Sequence, residues 1–273
     1  MTTHTTITTS RFWPNRQQRD LLRQLVRRDL ASRYRGSALG VLWSVLNPLL
    51  MLGVYTFVFG VVFQARWGEN ASHSTASFAM VLYCGLMIHA ALAEILTRST
   101  TIILQHRNYV KKVVFPLQLL PVMIVMSATV LLLIQWAILL VGMALMGMAL
   151  TPSILLWPVI MIPFLLLSLG LAWFVASMGV YIRDLAQIMG LLVTLLLFLS
   201  PVFYPASALP EAYRTFLYLN PLTPIIENSR LVIIEGQQPH WETLTFYAVL
   251  SLLICVFGHW WFVRTRKGFN DVV

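Results

Sequence analysis

Charged residues are scarce in this chain. Only 11% of its 273 residues are Asp, Glu, Lys or Arg, whereas soluble domains average about 25%. So few charges could hardly cover a water-exposed surface. Hydrophobic residues make up 58% of the chain, and several apolar runs reach the roughly 20 residues that a helix needs to cross a bilayer. The composition therefore predicts an integral membrane protein.

Segments with alternating hydrophobicity, which mark a membrane β-barrel, are also missing. In lipid a helix satisfies its backbone polar groups within its own segment, so we predict an all-α membrane protein with six transmembrane helices. The spans lie at about residues 39–63, 78–96, 119–148, 154–181, 185–199 and 244–263. Residues 1–38 form a cytoplasmic arm, residues 200–243 a periplasmic region, and residues 264–273 a cytoplasmic tail.

Several chemical motifs are lacking as well. The chain has three lysines, and none lies in the G-x-x-x-x-G-K-[ST] loop that binds nucleotide phosphates. The two cysteines, Cys84 and Cys255, both fall inside predicted spans, where small buried thiols are more common than a disulfide or a metal pair. No Cys/His cluster has zinc spacing. The first 20 residues are polar, without the apolar stretch of a cleavable signal peptide.

The positive charges are distributed unevenly. If the N-terminus is cytoplasmic, 16 of the 19 Lys and Arg residues lie in cytoplasmic segments, and only Arg66, Arg214 and Arg230 lie outside. Short loops rich in Lys and Arg stay on the cytoplasmic side. We therefore predict that both termini are cytoplasmic. The net charge of +9 then indicates topology and attraction to anionic headgroups rather than a nucleic-acid partner.

An amphipathic helix is predicted over residues 19–34, just before the first span. Its apolar side chains fall on one face and its basic side chains on the opposite face, so it should lie in the cytoplasmic interface. Gly36 ends it. Arg33 and Arg35 have two interpretations: an ordinary basic flank of a span, or a site for an anionic lipid headgroup, since Arg binds phosphate in a bidentate way.

The region after the fifth span is too apolar for a water-exposed loop. PVFYPASALP has three prolines in ten residues and cannot be one straight helix. AYRTFLYL and PIIENSRLVII each fit a short helix, separated by Asn220-Pro221. Two short helices that re-enter the outer leaflet, or an external cap, both fit this pattern.

Ionisable groups are almost missing from the spans. His89 and Glu94 are the two well inside the second span, and intramembrane ionisable residues are candidates for function. Glu94, however, lies one turn before Arg98, so we predict a local i, i+4 ion pair.

Two blocks of sequence carry a family resemblance. A basic amphipathic helix is followed by RYRGSALGVLWSVLNPLL and the Phe-rich VYTFVFGVVF, and FLSPVFYPASALP with LYLNPLTPIIENSR precedes the last span. Over about residues 20–268 the chain resembles the permease subunits of bacterial ABC exporters of cell-surface polysaccharides. It is most similar to the O-antigen exporters, and permeases for capsule and teichoic acid are similar too.

The resemblance implies a transporter subunit, not an enzyme, in the bacterial inner membrane. It implies a homodimer of this chain with two copies of a separate ABC ATPase, which binds ATP and Mg. The substrate would be a polysaccharide linked to undecaprenyl diphosphate. This chain would bind no cofactor and no metal.

The implied roles fall into three groups. Arg33 and Arg35 would meet the carrier-lipid headgroup. Coupling to the ATPase would involve Arg27, Arg28, Arg98, Arg107, Lys111, Lys112, Arg183 and Asp184, whose charges are otherwise explained by orientation alone. Aromatic rings stack on sugars, and the residues expected at the channel and periplasmic gate are Trp43, Tyr55, Phe59, Phe203, Tyr204, Tyr213 and Tyr218. Core packing is the alternative for each of these aromatic side chains.

Other classes of function fit less well. An ABC permease for a drug or a small lipid shares the six-span plan. A secondary transporter would need buried acids and broken helices at mid-membrane, and a membrane glycosyltransferase would need paired carboxylates at the surface. Dependence on a partner ATPase separates the first class from the other two.

Overall fold

A computed structural model of the chain describes residues 16–33, 35, 37, 39–62, 75–110, 115–205, 210, 217, 218 and 220–272. In this part of the chain every regular element is helical and no strand occurs, which confirms the all-α prediction. The helices are α1 Arg16–Arg33, α2 Trp43–Tyr55, α3 Thr75–Ser99, α4 Ile102–Gln105, α5 Arg107–Val110, α6 Leu119–Leu145, α7 Trp157–Tyr181, α8 Leu185–Leu199, α9 Thr223–Ile233, α10 Trp241–Thr265 and α11 Phe269–Val272.

Four helical segments of the described residues are long and apolar enough to cross a membrane. They are Phe78–Ser99, Leu119–Leu145, Pro152–Tyr181 and Trp241–Gly268. Two shorter apolar helices, Trp43–Val58 and Leu185–Leu199, match the predicted first and fifth spans in position. The first of these is not uniform, because α2 changes at Thr56 into a π-helix that runs to Val62.

Helix α7 forms the centre of the bundle, and it packs along the length of α10. The two backbones touch at a pair of glycines. A Cβ atom added to Gly258 would lie 2.1 Å from the carbonyl oxygen of Gly170, and one added to Gly170 would lie 2.5 Å from the carbonyl oxygen of Ile254. Small residues allow helices in membranes to approach this closely.

The apolar face of α1 packs on the ends of the long helices. Leu22, Leu25 and Val26 are buried on this face. They join a hydrophobic cluster that includes Ile102 after α3 and Met123 of α6, while the arginines of the opposite face remain exposed. Period-3.6 spacing of the apolar residues therefore positions α1 across the bundle.

The segment after α8 is held by backbone-directed polar contacts. Asn220 donates to the carbonyl oxygen of Leu199 at 3.1 Å and accepts from the amide of Leu222 at 2.9 Å. Helix α9 then forms from the predicted PIIENSRLVII segment. The other predicted short helix, AYRTFLYL, lies largely outside the described residues.

Several helices, among them α2, α8 and α10, leave apolar side chains uncovered in the single chain. On α8 these include Ile188, Leu191 and Leu195, and on α2 they include Leu50 and Val54. Helix α10 has a similar exposed stripe. In water such surfaces would favour aggregation, whereas lipid or another helix covers them without cost.

Candidate functional site

Four charged side chains of alternating sign meet where α1 crosses the C-terminal end of α3. Arg33 lies 3.4 Å from Asp29, and Arg98 lies 3.2 Å from Glu94, which confirms the predicted i, i+4 pair. Arg98 also donates to both carboxylate oxygens of Asp29, with Nη1 to Oδ2 at 3.1 Å, and Arg33 pairs with Glu94. This charge cluster (Asp29, Arg33, Glu94 and Arg98) joins two helices that are distant in sequence.

The charge cluster is largely withdrawn from solvent. The side-chain exposure is 9% for Asp29, 17% for Arg33, 24% for Glu94 and 30% for Arg98. Its two positive and two negative charges balance, so burial leaves no uncompensated charge. Removing one member would break that balance, and a partly buried charge without its partner is strongly destabilising.

The environment of Asp29 favours its ionised form. Burial alone raises the pKa of this carboxyl group, but the hydrogen bonds and charge of Arg98, together with the charge of Arg33, outweigh that effect. The net result is a pKa below the ordinary value of 3.8. Asp29 is therefore an anion at neutral pH, as the ion pairs require.

A cavity of about 210 Å³ opens beside the charge cluster. Its walls come from α1, from the segment after α3 and from α6. The lining residues are Leu25, Arg28, Asp29, Ser32, Arg98, Ile102, Gln105, His106 and Met123. The cavity thus lies between α1 and the segment that contains α4.

The segment that contains α4 and α5 is tied to α1 by Tyr109. Arg28 donates to the Tyr109 hydroxyl at 3.0 Å. The Tyr109 ring stacks on Phe115, with centroids 4.3 Å apart, and on His106, at 5.5 Å. A movement of this segment would therefore be transmitted to α1.

The residues expected to couple with an ATPase separate into two sets. Arg98 is part of the charge cluster, whereas Arg27, Arg28, Arg107, Arg183 and Asp184 are exposed. Lys111 and Lys112 lie outside the described residues. Of the two residues expected at the headgroup, Arg33 belongs to the charge cluster and Arg35 is exposed two residues further along.

The expected channel aromatics come together in part. The Phe203 ring lies 5.4 Å from Tyr55 and 5.7 Å from Phe198. Tyr204 donates to the carbonyl oxygen of Phe198 at 3.0 Å. We call Tyr55, Phe198 and Phe203 the aromatic contact, which joins α2 to the end of α8.

Two of the other expected aromatics, Trp43 and Tyr218, have other surroundings. Trp43 lies at the start of α2 and is 40% exposed. Tyr218 is exposed and hydrogen-bonds Glu227, whose pKa is raised by burial. Tyr213 and the side chain of Phe59 lie outside the described residues.

Two further residues make specific contacts: His89, which the sequence marked as a candidate for function, and Arg230, whose burial was missed. His89 contacts the carbonyl oxygen of Val193 at 3.0 Å and so links α3 to α8. Arg230 was counted only as an external charge, although it is buried in α9. The available signal was the position of Arg230 in a segment predicted to be a short helix, directly before the apolar residues LVII. In the described part of the chain, no group of three His, Cys, Asp or Glu side chains is placed to hold a metal ion.

Comparison with known proteins extends these findings. A sequence model of the ABC-2 type transporter family matches residues 20–234. The O-antigen export system permease protein RfbA of Myxococcus xanthus is 32% identical over 260 residues, which cover 94% of this chain and 96% of that protein. RfbA of Klebsiella pneumoniae is 26% identical, covering 93% and 95%. The polysialic acid transport protein KpsM of Escherichia coli is 25% identical, covering 88% and 92%. The chain belongs to the ABC-2 type transporter family.

Proposed function

We propose that this chain is the transmembrane subunit of an ATP-driven exporter that moves a lipid-linked, O-antigen-type polysaccharide across the bacterial inner membrane. One observation carries the proposal: the chain is 32% identical to an O-antigen export permease over 94% of its length. The match spans nearly the whole of both chains, 94% of this one and 96% of the relative.

Six spans form the membrane domain in this proposal. The two short helices complete the set, since α2 continues directly into the π-helix at Thr56–Val62, and α8 is extended at its end by the Pro-rich turn. Both termini are cytoplasmic, because this orientation leaves 16 of the 19 basic residues inside. Helix α9 then lies at the periplasmic side and re-enters the outer leaflet.

The channel lies between two copies of the chain. Support comes from α2 and α8, which both lie against α3 and both expose apolar side chains. The aromatic contact lies at the outer ends of these helices. Aromatic walls suit a glycan because rings stack on sugar faces without fixing a charge.

A separate ABC ATPase supplies the energy and binds ATP and Mg. The chain itself has no phosphate-binding loop. Arg27 and Arg28 on α1 and Arg107 on α5 are exposed. Together with Arg183 and Asp184 they provide a charged cytoplasmic surface for that partner. The Arg28–Tyr109 hydrogen bond offers a route from this surface to α1.

The diphosphate of an undecaprenyl carrier is recognised at Arg33 and Arg35. Arg35 is exposed beside the start of α2, where a headgroup would arrive. Arg33 is neutralised by Asp29 and Glu94, and a diphosphate could replace these carboxylates as its partner. The charge cluster then serves as the resting state of the headgroup site.

A capsular polysaccharide is the second candidate substrate. The observation that favours it is the 25% identity to the polysialic acid transport protein KpsM. Both candidates require a channel in the membrane and a partner ATPase, and they differ in the exported polysaccharide.

Cells that lack this chain provide the test. Surface polysaccharide and cytoplasmic lipid-linked glycan are measured, and the chain is then restored together with its ATPase. We expect loss outside, accumulation inside and recovery on restoration, with the retained glycan identifying the substrate. Loss without accumulation would indicate a synthetic enzyme. An unchanged surface would indicate a permease for a drug or small lipid.

A further inference from the structure

The guanidinium of Arg230 ties three segments of the chain together. Arg230 is only 5% exposed. Its Nε donates to the carbonyl oxygen of Val81 on α3 at 3.1 Å, and its Nη2 donates to that of Val202 at 2.9 Å. Its Nη1 donates to the carbonyl oxygen of Pro201. One side chain on α9 thus holds both the first turns of α3 and the turn after α8.

Burying this charge is costly, and an apolar side chain could fill the same space without that cost. What an apolar side chain lacks is donors. Guanidinium presents five N–H groups in a rigid plane, and here its three nitrogen atoms each donate to a different backbone carbonyl group. The chemistry of the residue therefore fits a role in fixing the position of the turn.

That turn carries one member of the aromatic contact. Phe203 directly follows the two carbonyl groups that Arg230 holds, and its ring lies 5.4 Å from Tyr55 of α2. The position of Arg230 therefore determines how Phe203 meets α2. Asn220 holds the end of α8 beside it, through the carbonyl oxygen of Leu199.

The neighbouring helix leaves room for the guanidinium. A Cβ atom on Gly85 of α3 would lie 2.8 Å from Nη2 of Arg230. This contact is with the far end of a flexible side chain, so a methyl group there would displace the guanidinium rather than the helix. Gly85 therefore offers a way to move the guanidinium without removing its charge.

We propose that Arg230 is a positioning residue for the outer end of the translocation path, where it holds the turn after α8 so that Phe203 stays against Tyr55. The role of Arg230 in transport rests on the proposed function, whereas its effect on the distance between Phe203 and Tyr55 is tested independently. In this proposal the buried side chain of Arg230 keeps the rings of Phe203 and Tyr55 in contact.

The test measures proximity in the full-length chain in membranes. Tyr55→Cys and Phe203→Cys are introduced together, and a short thiol-specific cross-linker is applied; the native Cys84 and Cys255 are both buried.

A second pair, Trp136→Cys with Trp157→Cys, replaces two rings stacked at 4.9 Å in the core and reports general loss of structure. Each pair is combined with Arg230→Lys, Gly85→Ala or Gly190→Ala. An added methyl at Gly190 meets no atom within 4 Å, so this variant is the matched control.

We expect Gly85→Ala and Arg230→Lys to lower cross-linking of the 55–203 pair by about tenfold, because lost hydrogen bonds to a charged group are worth that factor or more. The 136–157 pair and the Gly190→Ala control should be unchanged. Equal cross-linking of the 55–203 pair in all variants would overturn the inference, as would a parallel loss in both pairs. The cross-linking yields do not depend on whether the chain exports polysaccharide. The proposed function is tested separately, by the polysaccharide assay of the wild-type chain.

Discussion

Asp29 accepts hydrogen bonds on both carboxylate oxygens from the guanidinium of Arg98, which lies 69 residues further along the chain. This bidentate pair connects the amphipathic α1 to the end of a long apolar helix. Two parallel hydrogen bonds fix the direction of both side chains as well as their distance. The contact therefore sets the angle at which α1 crosses α3.

Replacing Asp29 with Asn should destabilise the folded chain. The change leaves Arg33 and Arg98 with a single carboxylate between them in a partly buried site, which should cost about 2–3 kcal/mol. Asp20→Asn is the matched control, because Asp20 pairs with Arg23 at 3.7 Å on the exposed face of the same helix and should cost at most about 0.5 kcal/mol. Thermal unfolding in detergent measures both, and equal midpoints for the two variants would contradict the proposed importance of the charge cluster.

Acidification should reduce the advantage of Asp29 over Asn. The pKa of Asp29 in the folded chain lies below its ordinary value of 3.8, so the unfolded chain takes up the proton first. The stabilisation is then fully present above pH 3.8 and is lost as the pH falls through the folded-state value. Unfolding midpoints of the wild type and Asp29→Asn should differ at neutral pH and converge in strong acid. A constant difference across this range would show that Asp29 acts through its shape rather than its charge.

Part of the charge cluster follows from sequence spacing alone. Glu94 and Arg98 are one turn apart on a helix, so their pairing was predictable. The apolar spacing of Leu22, Leu25 and Val26 likewise predicts the buried face of α1. The link from Asp29 to Arg98 was not predictable, because it depends on the crossing of two helices, and local periodicity contains no information about that crossing.

The outer segment shows the same limit. The pattern PIIENSRLVII predicts a short helix, and α9 forms there. The burial of Arg230 was missed because its partners are backbone carbonyl groups, which leave no mark on the sequence. Gly85 makes room for this side chain, yet a lone glycine in an apolar helix has many possible causes.

Changing Arg33 and Arg35 together to Gln should abolish export, while the folded chain still assembles with the ATPase. The reason is that Gln offers a diphosphate neither a positive charge nor a bidentate fork. Because Arg33 also pairs with Asp29 and Glu94, its loss destabilises the chain, so export is compared at equal amounts of folded protein. Surface polysaccharide and co-purification with the ATPase measure the two properties. The control is Arg16→Gln with Arg23→Gln, which removes the same charge from the exposed face of α1.

If export persists in the Arg33 and Arg35 variant, these residues only orient the chain in the membrane. If export fails in the control as well, total basic charge matters rather than position. If the ATPase fails to co-purify with the Arg33 and Arg35 variant but does co-purify with the control, Arg33 and Arg35 instead couple the chain to the ATPase.

The glycine contact between α7 and α10 gives the sharpest stability prediction. A methyl group at Gly258 would lie 2.1 Å from the carbonyl oxygen of Gly170, well inside van der Waals distance, and the contacted atoms of Gly170 belong to the backbone, which cannot rotate away. The helices must separate, so Gly258→Ala should lower the free energy of unfolding by about 3 kcal/mol or more.

Gly190→Ala adds the same methyl group where nothing lies within 4 Å and should be neutral or slightly stabilising, because Ala is the better helix former. Folded yield and thermal midpoint in detergent measure both variants; a Gly258→Ala protein as stable as Gly190→Ala would mean that the two helices do not touch at this point.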